Sequence, residues 1–367
     1  MTRRAYAHRL PMGAPDDVGA LTAAFASGAI QAHSVVAILG KTEGNGCVND
    51  FSRGFATRAL SDALRQAGAN PAGVCLVMSG GTEGALSPHM LVLEARETEE
   101  PARPAALAVG RARTPDLAPE DLGRLAQVDL VAESVLKAIR DAGLSSTADA
   151  HFVQVKCPLL TADRIAAAER RGQTTATRDT LKSMGLSRAA SALGVAVALG
   201  EVSRASLSEA AIGRDFSLYS GRASTSAGVE LRDHEIVVLG ASPRWAGPLS
   251  LDHAVMADAI DIEPVRAALA RLGLDAQGQL KAAQRARVVA LLAKAEASSD
   301  GALREKRHTM LNDSDISPTR HARGFVAGAL AGLVGHAEIY VSGGAEHQGP
   351  DGGGPVAVIV ETREFEP

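Results

Sequence analysis

Ser79-Gly80-Gly81-Thr82-Glu83 and Ser342-Gly343-Gly344-Ala345-Glu346 write one phrase twice in this chain. Each copy follows a short apolar run, Val74-Cys75-Leu76-Val77-Met78 in the first and Ile339-Tyr340-Val341 in the second. An apolar run broken by Gly-Gly reads as a buried strand that delivers a serine into a loop. Two further segments recur with it in the same order. Val35-Val36-Ala37-Ile38-Leu39-Gly40-Lys41-Thr42-Glu43 matches Val288-Val289-Ala290-Leu291-Leu292-Ala293-Lys294-Ala295-Glu296. Arg53-Gly54-Phe55-Ala56-Thr57-Arg58-Ala59-Leu60 matches Arg323-Gly324-Phe325-Val326-Ala327-Gly328-Ala329-Leu330. A weaker third copy lies between them: His151-Phe152-Val153-Gln154-Val155-Lys156, then Arg188-Ala189-Ala190-Ser191-Ala192-Leu193, then Ser224-Thr225-Ser226-Ala227-Gly228.

The lysine segments read as buried strands carrying the lysine at their C-terminal ends. Residues 282–296 taken alone also fit a helix, and the match to the first copy decides for a strand. The arginine segments read as helices starting near the arginine and stopping at Gly68, Gly200 and Gly335. Free N–H groups there would favour an electron-rich ligand. Each unit opens with a strand and then a helix, over 18–26, 122–142 and 262–272. Residues 97–104 and 241–248 read as linkers, which divides the chain into units 1–103, 104–249 and 250–367. The result is an α/β chain built three times over. Each unit supplies one lysine, one arginine and one serine: Lys41, Arg53, Ser79; Lys156, Arg188, Ser226; Lys294, Arg323, Ser342.

Composition narrows the partners. The chain has 367 residues, enough for two or three cored domains, and a net charge of −4, which gives no bulk attraction to nucleic acid or membrane. Only 3% of residues are aromatic, too few rings for a stacking platform. Three cysteines without CxxC spacing argue for a reducing compartment and against a disulfide framework or zinc site. We read no signal peptide, no membrane span and no paired histidine metal spacing, so a cytoplasmic location is expected. Cys157 is expected to pack on the strand face opposite Lys156, His347 to lack a partner, and Asp313 and Asp315 to cap the helix that follows.

Chemistry follows from the triplicate set. A serine needs a base to act as nucleophile. With no histidine in the repeat, lysine is the candidate, provided that burial and neighbouring cations depress its pKa. A glycine-rich loop beside the serine leaves N–H groups for a developing oxyanion. Together these indicate acyl transfer, most simply amide hydrolysis. A ligand on a threefold axis should offer three like groups, and a flat ring of three carbonyls separated by N–H groups does so. The residues alone leave open which of the three lysine–serine pairs reacts. The middle unit departs most, with Ser-Ala-Gly for Ser-Gly-Gly and Lys156-Cys157-Pro158 for Lys-x-Glu.

The stretches Gly40-Lys41-Thr42-Glu43-Gly44-Asn45-Gly46-Cys47-Val48-Asn49-Asp50, 78–84, 308–316 and 341–355 resemble the cyanuric acid hydrolases, the ring-opening amidohydrolase family that includes the barbiturases. The resemblance covers essentially the whole chain. It implies a Toblerone-type fold, three like units around a pseudo-threefold axis with the site at the centre, and hydrolysis of cyanuric acid to carboxybiuret, which decarboxylates to biuret. It implies Ser226 as nucleophile and Lys156 as its base. Substrate carbonyls would be held by the other two pairs (Lys41 with Ser79, Lys294 with Ser342), by Arg53, Arg188 and Arg323, and by Gly80, Ala227 and Gly343. It further implies a structural Mg²⁺ or Ca²⁺ held by Glu296 with groups at Ala345, Gln348, Gly349, Pro350 and Gly353, a donor set suited to a hard cation. It implies no organic cofactor, and a homotetramer. The competing readings are a barbiturase and a non-catalytic small-molecule binding protein.

Overall fold

The computed structural model describes residues 2–275 and 277–362. The last five residues of the third unit's 250–367 range therefore lie outside it. Each third of the chain forms a sheet of the same four strands in the same order. An opening strand comes first (Thr2–Pro11, Ala106–Arg113, Leu249–Met256), and a lysine strand second (Val35–Thr42, Ala150–Pro158, Val288–Ala295). A serine strand follows (Cys75–Gly80, Ala223–Gly228, Tyr340–Gly343), and a return strand closes the unit (His89–Thr98, Glu235–Ser242, Gly354–Glu361). In space the order is serine, lysine, return, opening. The lysine and serine strands are parallel and the others pair antiparallel. A parallel pair needs a crossover, and a helix supplies it in every unit: Phe51–Gln66, Thr180–Ala198 and Pro318–Val334. Shorter or outer helices, Gly19–Ala26, Leu125–Asp141 and Glu263–Arg271, lie between the opening and lysine strands.

Strand alternation decides what faces the centre. Ala37, Leu39, Cys75 and Val77 of the first unit join Ala290, Leu292 and Tyr340 of the third in one core that also includes much of the second unit. Their neighbours Ile38, Leu76 and Met78 pack into a core of the first unit alone, and Leu291, Ala293 and Val341 into one of the third that Leu86 of the first also joins. Continuing the central set by two residues reaches Lys41, Ser79, Lys294 and Ser342. The same parity that buries leucine at the axis thus carries the polar residues there.

Several details differ from the sequence reading. The serines lie within strands, one or two residues before their ends, instead of heading loops. Only Arg53 sits in a first turn. Arg188 and Arg323 lie inside longer helices, because Asp179 caps one start through Lys182 N–H and Pro318 opens the other. Residues 241–248 are not a free linker: Ser242 ends the second return strand, and Trp245–Ala246 is a buried strand pairing in parallel with Arg3 and Arg4 of the first sheet. Likewise the first return strand runs on to Thr98. Asp313 does not cap the helix. It accepts from Asp315 and Ile316 N–H in a local turn, and the residue before the helix is Ser317.

Candidate active site

Lys41 stands opposite Ser79, Lys156 opposite Ser226 and Lys294 opposite Ser342, so one register is repeated three times across the parallel strand pairs. The three pairs converge where the sheets meet. A small cavity of about 20 Å³ there is lined by Arg53, Arg188, Arg323, Ser79, Ser226, Ser342, Gly80, Ala227 and Gly343, together with Gly46, Met78 and Met184. The lysines lie beneath this lining and are fully buried, at 0–1% exposure. Removing an ammonium from water costs several kcal/mol, so burial favours the neutral amine. Burial, reinforced by Arg323, holds Lys41 well below the usual lysine range. Burial and Arg188 push Lys294 down to about 7. Lys156 is lowered by burial, with Arg53 adding to the effect and Glu230 opposing it.

The arginines are held by the glutamate that closes the repeated phrase, a residue to which the sequence reading assigns no role. A glutamate lies four residues after each serine: Glu83, Glu230 and Glu346. Each faces an arginine of another unit. Glu83 accepts two bonds from Arg323, Nε to Oε2 at 2.5 Å and Nη2 to Oε1 at 2.6 Å. Glu346 accepts two from Arg188, at 2.8 and 2.6 Å. Glu230 faces Arg53 at the longer distance of 3.8 Å. First binds third and third binds second through paired hydrogen bonds, and second faces first at the longer distance. The lysines add to these links: Lys156 Nζ donates to Met78 O of the first unit (2.6 Å) and Lys294 Nζ to Thr225 O of the second (2.8 Å). The signal was present in the sequence, since Ser-x-Gly-x-Glu holds in all three copies.

The middle pair is arranged differently from the outer two. Lys41 Nζ donates to Ser79 Oγ at 3.4 Å, and Lys294 Nζ to Ser342 Oγ at 3.2 Å and Gly343 O at 3.2 Å. Lys156 makes no such bond to its serine. Its ammonium is ion-paired with Glu230 Oε1 at 2.8 Å, and the buried Ser226 hydroxyl has no hydrogen-bond partner among the described residues. The expected open N–H groups are also fewer than the loop suggested. Gly81 N–H donates to Thr42 O and Gly344 N–H to Ala295 O, which ties the turn to the lysine strand.

The remaining expectations can be placed. Cys157 is buried on the face away from Lys156, its thiol near Ser226 O at 3.4 Å and pushed above its ordinary value by burial. His347 does have partners: Nε2 accepts from Gly213 N–H at 2.8 Å and Nδ1 bonds Leu218 O at 2.5 Å, which anchors the loop after Ser342. His151, Asp252 and His253 come together across two units, but Arg271 pairs with Asp252 and the two rings bond each other at 3.0 Å. For the structural ion, the donor chemistry fits a hard cation. Glu296 is raised to about 7 by burial and by the neighbouring Glu346 charge, a situation that a cation would relieve. Ala345 O and Pro350 O each accept one backbone N–H, from Gln348 and Gly353. The Gln348 amide is committed to Thr225 N–H (2.6 Å) and Gly344 O (3.1 Å), so its main-chain carbonyl is the group left to offer.

Buried serine–lysine pairs ringed by arginines in a triplicated α/β chain define a class of hydrolase acting on cyclic amides, and the comparisons agree. The amidohydrolase ring-opening protein family model matches residues 6–361, and the chain belongs to that family. Cyanuric acid amidohydrolase from Bradyrhizobium sp. (strain ORS 375) is 64% identical over 365 residues, 98% of each chain. The enzyme of that name from Azorhizobium caulinodans is 62% identical over 353 residues, 96% of this chain and 97% of the relative. The crystal structure of cyanuric acid hydrolase from A. caulinodans superposes with a TM-score of 0.91 at 60% identity, covering 99% of this chain and 100% of the other. A second cyanuric acid hydrolase, described as an evolutionary innovation by structural concatenation, gives a TM-score of 0.93 at 46% identity with the same coverage.

Proposed function

We propose that this protein is a cyanuric acid amidohydrolase that opens the s-triazine ring to carboxybiuret, which loses carbon dioxide to give biuret. The observation that carries this reading is the threefold register of buried lysine opposite buried serine around one arginine-lined cavity. A ring with three equivalent carbonyls can meet all three sets at once. Arg53 now donates to the Cys47 and Ala227 carbonyls and would exchange these partners for a ring carbonyl.

In the proposed sequence, Ser226 Oγ forms a bond to a ring carbonyl carbon while its proton passes to neutral Lys156 Nζ. The charge gathering on the carbonyl oxygen is met by guanidinium donors. Collapse breaks the C–N bond, and the Lys156 ammonium returns its proton to the leaving ring nitrogen. Water then attacks the acyl-serine, giving its proton to Lys156, which restores the Ser226 hydroxyl as the ester bond breaks. The unpartnered Ser226 hydroxyl supports this choice, since nothing in the protein has to be broken before it attacks. A second reading makes Ser342 the nucleophile, favoured by its bond from Lys294. Alanine at each serine separates them. Ser226→Ala should lower kcat by about a thousandfold or more, while Ser79→Ala and Ser342→Ala mainly raise KM. Full turnover by Ser226→Ala would overturn the assignment.

Barbituric acid replaces one ring N–H by carbon and breaks the threefold match, so turnover on it should be slower than on cyanuric acid. We also propose the Glu296 ion site, a homotetramer and a cytoplasmic location. The free thiols of Cys47, Cys75 and Cys157 suit such a location.

A further inference from the structure

The serine–glutamate loop of the middle unit takes a path that the other two do not. Gly81 and Gly344 adopt φ of +106° and +81°, and an arginine of another unit lies against each, so close that a Cβ would sit 2.0 Å from Arg323 Nη2 and 2.5 Å from Arg188 Cζ. Gly228, the counterpart, is not in that region. The group against it is the carboxylate of its own loop, Glu230, 2.1 Å from where a Cβ would stand. The loop has turned its glutamate inward, away from the arginine and onto the lysine. Threefold symmetry is thus broken at Glu230. Apart from the ion pair to Lys156, neither Glu230 oxygen has a hydrogen-bond partner among the described residues. Glu230 and Lys156 also line a separate cavity of about 260 Å³ on the side away from the serines. It is shared with Glu235, Arg113, Arg65 and Thr57, whose hydroxyl is likewise unpartnered. Such a polar space can hold water.

We propose that Glu230 is the positioning residue of the Lys156–Ser226 pair, holding the lysine as an ammonium at rest and accepting its proton when substrate fills the site. The inference rests on the reading of that pair given above. In the step, the Nζ–H bond breaks, its electron pair stays on nitrogen as the lone pair that will take the Ser226 proton, and an Oε1–H bond forms. Lys156 and both Glu230 oxygens are buried, and a neutral amine beside a neutral acid avoids holding two buried charges once a ring fills the adjoining cavity. The cavity behind Glu230 sets a polar space beside that acid, although both carboxylate oxygens are themselves buried. The groups facing Lys156 are Glu230, Arg53 from the crossover helix and Cys157 beside it, with Glu235 and Arg113 across the second cavity.

The test is the pH profile of kcat for Glu230→Gln against Glu83→Gln. Loss of the Glu230 charge removes what keeps the proton on Lys156, so the acidic limb should move down by about one pH unit, with kcat at the optimum reduced about 10–100-fold and KM changed far less. Glu83→Gln frees Arg323 instead, and should raise KM with the limb in place. A Glu230→Gln limb that stays put or moves up, or an equal displacement in Glu83→Gln, overturns the proposal. If Glu230→Gln does not fold, Glu230→Asp carries the test: lower kcat at near-parental KM supports it, and parental kcat overturns it. Activity surviving in Ser226→Ala would instead remove the underlying reading, whatever Glu230 does.

Discussion

Gly81 has two reasons to be glycine, its φ of +106° and the guanidinium of Arg323 lying where a side chain would go. Alanine there would strain the backbone by about 1–3 kcal/mol and push Arg323 off Glu83. We expect Gly81→Ala to lower the melting temperature and to raise KM more than it lowers kcat, since the role proposed for Arg323 is to hold substrate. Steady-state kinetics with a thermal melt would show it, and an unchanged KM would count against the substrate role of Arg323. The same scale explains why three lysines can be buried. Each is met by carbonyls, a hydroxyl or a carboxylate, so the ammonium is satisfied when present and inexpensive to lose.

At the scale of elements, His234 shows how the second sheet is fastened to its helices. It is fully buried just ahead of the return strand Glu235–Ser242. Gln127 of helix Leu125–Asp141 donates to its Nε2 at 2.9 Å, and its Nδ1 meets Thr114 Oγ1 at 3.0 Å. Burial lowers its pKa to about 4. The fold therefore holds the neutral ring, and the unfolded chain takes up a proton first as pH falls. Its stabilisation is present above the ordinary histidine value and is lost as pH drops toward 4, with a slope of up to about 1.4 kcal/mol per pH unit. His89, His253 and His336 are lowered to about 4 in the same way. Melting temperature should thus fall between pH 6.5 and 4.5, and His234→Gln should flatten that fall by its share. A variant with the parental slope would show that His234 does not titrate there.

The whole molecule is held by two bidentate pairs between units, Glu83 with Arg323 and Glu346 with Arg188, while Glu230 joins the second unit to Arg53 of the first only at 3.8 Å. Removing one partner of such a pair costs about 3–5 kcal/mol. The proposed ion belongs to this scale too, because Glu296 follows the third lysine strand and its charge meets that of Glu346, which pairs with Arg188. Chelation should lower the melting temperature, and either Mg²⁺ or Ca²⁺ should restore it. Glu296→Gln should abolish the response. Identical melts with and without chelator would remove the ion from the account.

The repeat, the α/β class and the three lysine–arginine–serine sets were legible in the chain because they depend on local pattern: apolar runs of strand length, glycine stops and residue types recurring in order. Local pattern also put Cys157 opposite Lys156, by strand parity alone. It misjudged where the helices holding Arg188 and Arg323 begin, because Asp179 and Pro318 set those starts from outside the repeated segment. It showed Glu83 and Glu346 in the repeated phrase but gave them no role and missed Glu230 as the third, since a carboxylate gains a role only when an arginine from another unit arrives. Which lysine meets a carboxylate and which meets its serine was decided by tertiary structure. That choice turns on the path of one loop and on charges brought together from distant parts of the chain, and electrostatic energy depends on distance in space, which sequence order does not specify.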